Sequence, residues 1–249
     1  MRKSANDYLT HTNEIFALHI PHHLCYNTKR DRRQKEAGLK DEPCFVCLFS
    51  FIKTCGNNSS MMNRKLLEQL EDCPVIAAVK DEDGLNACLE SEIGIVFVLY
   101  GDICTISEIT EKLKEKGKTV IIHIDLIQGL SGKEIAVNFI HTNTKADGII
   151  STKPALIRQA RELGMFTVMR FFAIDSMAFD NIRRQSEAVR PDVIEVLPGL
   201  MPRVINRICQ ESRIPVIAGG LITEREDIMA ALNAGAISIS TTNRKVWFM

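Results

Sequence analysis

From residue 74 onward the chain repeats one unit, an apolar and β-branched run of strand length followed by a stretch of helical periodicity. The runs are PVIAAVK (74–80), IGIVFVLYG (93–101), KTVIIHIDL (118–126), DGIIST (147–152), FTVMRFF (166–172), DVIEVLPG (192–199), IPVIAGG (214–220) and AISISTT (236–242). Between them helical patterns fall near 83–91, 105–116, 132–141, 154–163, 177–189, 202–212 and 224–233, and another near 63–72 comes first. Strands that alternate with helices pair in parallel through right-handed crossovers. Buried on both faces, they read as near-continuous apolar runs. Eight such units close into an α/β barrel of the TIM (β/α)8 type. An open dinucleotide-binding sheet would put G-x-G-x-x-G after its first strand, where this chain has AVKDEDG.

Local signals support several boundaries. Gly117 and Gly164 sit where a left-handed residue ends a helix, and SGKE at 131–134 has the order of a capping box. After the eighth run only NRKVWFM remains, so the final helix is stunted. Trp247 and Phe248 are expected to lie over the strip it leaves bare, a place open to a homodimer contact.

Residues 1–60 are a different text. They show neither period and carry the basic run KRDRRQK, so they read as a disordered tail or an upstream extension ahead of Met61 and Met62, with the barrel domain at 61–249. His22, His23, Cys25, Cys44, Cys47 and Cys55 include one Cys-x-x-Cys pair of ligand spacing, but the remaining spacing fits no ordinary zinc finger and no metal is expected. The apolar run 44–52 is too short to span a bilayer and follows a long polar stretch, so neither a membrane segment nor a signal peptide is expected. With scattered cysteines and a formal net charge of zero, the chain reads as cytoplasmic.

In such barrels function gathers at the C-terminal ends of the strands, with phosphate held after strands seven and eight. Gly219 and Gly220 let the main chain approach an anion, and Thr241, Thr242 and Asn243 add donors opposite. Other strand ends carry polar groups. His123 and Asp125 are read on one face of strand three, Ser151 and Thr152 close strand four, Arg170 interrupts strand five, Glu195 interrupts strand six and Lys80 ends strand one. Taken singly, an inward His or Arg is more often a satisfied core group. Together they outline a pocket for a small phosphorylated polyol.

The motifs IIHIDLIQGLSG (121–132), ADGIISTKPALIRQA (146–160), IEVLPGLMP (194–202), IPVIAGGLIT (214–223) and AGAISISTTNRKVW (234–247) resemble the glycerol-uptake operon antiterminator regulatory proteins of bacteria. The resemblance covers about 62–249 and leaves residues 1–60 without a counterpart. It implies a TIM barrel that senses glycerol 3-phosphate and, when loaded, acts on the leader mRNA of glycerol-utilisation genes to prevent premature transcription termination. It places Gly219, Gly220, Thr241, Thr242 and Asn243 around the phosphate, and His123, Asp125, Arg170 and Glu195 near the glycerol hydroxyls; no cofactor is implied.

The alternative is a barrel enzyme, an isomerase or a prenyl transferase acting on a glycerol phosphate, with Asp125–His123 and Glu195 as acid–base groups. The sequence holds no metal triad, mid-strand Schiff-base lysine or nucleophile elbow to support it. For RNA, Arg183, Arg184, Arg190, Arg203, Arg207 and Arg213 flank strand six, and Lys112, Lys114, Lys116 and Lys118 crowd the end of the second helix. Arg183, Arg184, Arg203 and Arg207 are the expected contacts. A charge run is usually a solvated face, and no RNP, KH or dsRBD signature accompanies these.

Overall fold

The computed structural model describes residues 61–249. The zinc, extension and apolar-run readings made for residues 1–60 lie outside the described residues. Eight parallel strands close into a barrel in sequence order: β1 (Val75–Val79), β2 (Ile95–Val98), β3 (Thr119–His123), β4 (Gly148–Ser151), β5 (Phe166–Phe172), β6 (Val193–Leu197), β7 (Val216–Gly219) and β8 (Ser238–Thr241). The seam closes between β1 and β8, with Val75 opposite Ile239 and Ala77 opposite Thr241. Helix α1 (Met61–Asp72) precedes β1. Seven more follow the strands in turn: α2 (Glu82–Glu90), α3 (Ile106–Glu115), α4 (Glu134–Asn143), α5 (Pro154–Glu162), α6 (Ser176–Val189), α7 (Pro202–Glu211) and α8 (Arg225–Asn233).

Alternation along each strand sorts two apolar sets. Ile76, Ala78, Ile95, Phe97, Ile121, Ile150, Phe166, Val168, Val193 and Ile217 fill the barrel interior, where Leu66 and Leu70 of α1 join them. Helix α1 closes the N-terminal end. Its Gln69 accepts from the Thr119 hydroxyl at the start of β3, and its Asn63 donates to Asp192 just before β6. The opposite strand residues, such as Val79, Val96, Ile122 and Val196, pack outward against the helices.

Three local expectations need correction. The run 118–126 is not strand throughout: β3 ends at His123, and Ile124–Leu126 is a 3-10 turn that takes Asp125 off the strand face shared with His123. The SGKE signal is overridden, since α4 begins at Glu134 with Lys133 as an N-cap that makes no side-chain cap bond. Lys80 follows β1 instead of ending it. The glycine signals are present, with φ of 71° at Gly117 and 75° at Gly164.

After β8 the chain makes only a 3-10 turn, Arg244–Phe248. Trp247 is buried there and its Nε1 donates to the Thr241 carbonyl at 3.0 Å, so the indole covers the outside of the seam while Phe248 stays exposed.

Candidate functional site

The strand ends at the C-terminal mouth carry polar groups over an apolar lumen. Arg170 of β5 and Glu195 of β6 lie opposite one another in the sheet register, both buried. The guanidinium Nε donates to Glu195 Oε2 at 2.6 Å, and the Ser240 hydroxyl of β8 donates to Oε1 at 2.5 Å. Both carboxylate oxygens are therefore engaged. The Nη donors of Arg170 take no partner among the described residues. Gly219 makes this network possible, because a Cβ there would lie 2.6 Å from Ser240 Oγ and 2.7 Å from Glu195 Oε1.

His123 is 3% exposed, and its Nδ1 has no hydrogen-bond partner. Burial, and then the Arg170 charge, push its pKa down to about 4, so the ring is neutral at pH 7. Asp125 lies close by and pulls the other way. Its Oδ2 accepts from the Ser151 hydroxyl at 2.9 Å and from the Thr152 amide at 2.8 Å, the turn that leads into α5. Burial raises the Asp125 pKa, but the Thr152, Ser151 and Lys153 interactions outweigh it and hold the carboxylate below its ordinary value. Lys153 Nζ stands 3.3 Å from Oδ1, an ion pair without hydrogen-bond geometry. Among the described residues four buried side-chain polar atoms lack a hydrogen-bond partner; two of them, His123 Nδ1 and Asp125 Oδ1, belong to this mouth.

The strand seven and eight loops are built differently from the sequence expectation. Gly220 has φ of 78° and Leu221 has φ of 64°, two successive left-handed residues that turn the main chain sharply at the end of β7. A leucine in that region is strained by about 1–2 kcal/mol. The Thr241 hydroxyl donates to the Ile222 carbonyl at 2.7 Å and accepts from the Asn243 amide, and the Asn243 side chain donates to the Thr223 carbonyl at 3.1 Å. Thr241 and Asn243 thus strut the two loops together. Thr242 is exposed. At the start of α8 the Thr223 and Glu224 amides are taken by Asp227, each at 3.0 Å.

The structure brings His123, Asp125, Arg170 and Glu195 together, with Lys80 exposed at the rim after β1. Sequence reasoning missed Ser240, Lys153 and Leu221. Ser240 was legible as an inward polar residue in ISIST; Lys153 and Leu221 carried no local signal.

Arg183, Arg184, Arg203 and Arg207 are exposed on α6 and α7. Arg207 is partly committed, paired with Glu211 at 3.0 Å and stacked 4.1 Å above the Phe179 ring. The lysine group is mostly spent on structure. Lys112 pairs with Glu108, Lys114 with Asp147, and buried Lys118 donates to the Ser91 and Ile93 carbonyls.

The family model described as glycerol-3-phosphate responsive antiterminator matches residues 75–247. The chain belongs to that family. It is 48% identical over 182 residues to "Uncharacterized protein YgcP" of Escherichia coli (strain K12), covering 73% of this chain and 95% of that protein. A glycerol uptake operon antiterminator regulatory protein from Listeria monocytogenes superposes with a TM-score of 0.68 at 33% identity, over 70% of this chain and 94% of that one. A glycerol uptake operon antiterminator-related protein from Thermotoga maritima does so at 0.63 and 36% identity, over 70% and 98%. A deoxyribose phosphate aldolase from Aeropyrum pernix, 14% identical with a TM-score of 0.54 over 73% of this chain and 94% of its own, shares the fold alone. Among the described residues of this antiterminator-family chain, no helix is long and apolar enough to cross a membrane.

Proposed function

We propose that the mouth binds glycerol 3-phosphate and that the loaded protein acts in the cytoplasm on the leader mRNA of glycerol-utilisation genes as an antiterminator. The observation that carries the ligand reading is a pair of buried atoms without hydrogen bonds, His123 Nδ1 and Asp125 Oδ1, the latter holding only the Lys153 ion pair, beside an Arg170 fork with unused Nη donors. Buried polar atoms without a hydrogen bond are rare, and two of the four among the described residues lie at this one open end. In this reading Asp125 accepts from a glycerol hydroxyl, His123 and Arg170 bind oxygens, and Glu195 holds Arg170 in place. The phosphate sits on the main chain around Gly219, Gly220 and Leu221 and on Thr242, with Thr241 and Asn243 holding that loop and Lys80 balancing charge.

What favours a regulator over an enzyme is the state of Glu195. With one oxygen on Arg170 and the other on Ser240, this buried carboxylate is committed to holding the network together, which disfavours it as a second acid–base group beside Asp125. RNA contact is assigned to Arg183, Arg184, Arg203 and Arg207. A thermal-shift and leader-RNA binding assay with and without glycerol 3-phosphate tests the reading. The ligand should raise Tm and tighten RNA binding, by a coupling of about 1–3 kcal/mol. No change in either overturns it. Arg183→Ala with Arg184→Ala should weaken RNA binding and reduce its salt slope by about one per residue; unchanged affinity removes that surface.

A further inference from the structure

Among the described residues, five of the large apolar side chains left in solvent stand on or beside three successive loops of the mouth: Phe172 (50% exposed), Ile174 (82%), Met177 (79%), Leu200 (43%) and Leu221 (68%). These loops follow β5, β6 and β7 and are tied side by side. The Ala173 amide donates to the Leu197 carbonyl at 2.8 Å, and the Gly199 amide donates to the Gly220 carbonyl at 3.0 Å. Met177 is fixed in the first turn of α6, whose start is capped by Asp175 accepting from the Ala178 amide. The five therefore form one held arc.

We propose that this arc is a self-association surface through which the protein pairs with a second copy of itself. Charge argues against a nucleic acid on the arc itself: segments 171–182, 191–202 and 214–224 contain no lysine or arginine and carry the exposed acids Asp175, Asp180 and Glu224, and the exposed Arg183, Arg203 and Arg225 begin only just beyond them. RNA phosphates demand the opposite. Area argues for a second copy. With a side chain of this size taken as roughly 200 Å2, the exposed fractions leave on the order of 600 Å2 uncovered, as large as the greatest patch on an ordinary monomer. Two arcs face to face bury on the order of 1,200 Å2, which reaches the range of specific, stable interfaces. A twofold contact sets the same patch against itself, and the five apolar side chains are complementary to their own kind, while Asp175 between Ile174 and Met177 is committed to the Ala178 amide at 2.8 Å. The face differs from the one beside Trp247, where Phe248 and Met249 stay exposed. The inference does not rest on the ligand reading.

The test is the weight-average mass of the full chain by analytical ultracentrifugation at micromolar concentration, for the wild type, for Ile174→Glu with Met177→Glu, for Leu200→Ser with Leu221→Gly, and for Phe248→Glu. All substitutions lie on exposed side chains, and circular dichroism checks the fold. The wild type and Phe248→Glu should show twice the chain mass. The double glutamate variant should fall to the chain mass, and the Leu200/Leu221 variant should weaken association by about tenfold or more. A monomeric wild type, or association undiminished in both arc variants, overturns the proposal.

Discussion

A methyl group on Gly219 would stand 2.7 Å from the Glu195 carboxylate, so the first of the two glycines at the end of β7 makes room for a buried side chain. Its neighbour Gly220 serves the turn, at φ of 78°, with its nearest contact a flexible Leu197 methyl at 3.2 Å. The two substitutions should therefore differ in kind. Gly219→Ala should cost about 1–3 kcal/mol by overpacking and weaken ligand binding by displacing Glu195 from Arg170. Gly220→Ala should cost about 1 kcal/mol from backbone strain alone. Chemical denaturation and calorimetric titration of both variants separate the effects.

Glu195 is the hub of the buried network. Glu195→Ala strands the Arg170 charge in the interior and should destabilise by about 3–5 kcal/mol. Ser240→Ala removes a single donor and should cost about 1–3 kcal/mol. A double-mutant cycle measured by urea unfolding should show coupling between positions 195 and 240, which share a hydrogen bond of 2.5 Å.

His123 gives the site a pH signature. Its folded pKa of about 4 lies below the ordinary value of 6.5, so between these pH values the unfolded chain binds the extra proton. Stability from this group is fully present above pH 6.5 and is lost as pH falls toward 4, by about 3 kcal/mol in total. Unfolding free energies across that window should fall in the wild type and flatten in His123→Gln. A steep slope persisting in the variant assigns the loss to other groups.

Leu221 is a strained residue with an exposed side chain, at φ of 64°. Replacing it with glycine removes the Cβ penalty, and in the Ile174→Glu/Met177→Glu background, where self-association is removed, Leu221→Gly should raise stability by about 1 kcal/mol. A Tm increase checks this; a decrease would mean that the leucine side chain packs more than its 68% exposure implies.

The barrel was legible because parallel strands buried on both faces must be apolar throughout, and Ile76, Val96, Ile121 and Ile217 obey that requirement. The polar exceptions Arg170 and Glu195 were visible for the same reason. What they bond to was not, since Glu195 meets Ser240 across 45 residues of sequence. Asp125 was misplaced on β3 because IIHIDL keeps alternating past His123. Its hydrogen bonds to Ser151 and Thr152 draw it to the β4–α5 turn, a tertiary effect that no local pattern carries. Thr241 and Asn243 read as free donors, and the partners that occupy them, Ile222 and Thr223, lie about twenty residues back.

The most direct test is calorimetric titration of the full chain with glycerol 3-phosphate, beside the variants Thr242→Val and Lys80→Met on the exposed rim. One molecule should bind per chain, inorganic phosphate should bind more weakly, and each substitution should lower affinity while Tm without ligand stays unchanged. No binding to the wild type at millimolar ligand, or binding indifferent to both substitutions, would contradict the claim that this mouth is the sensor.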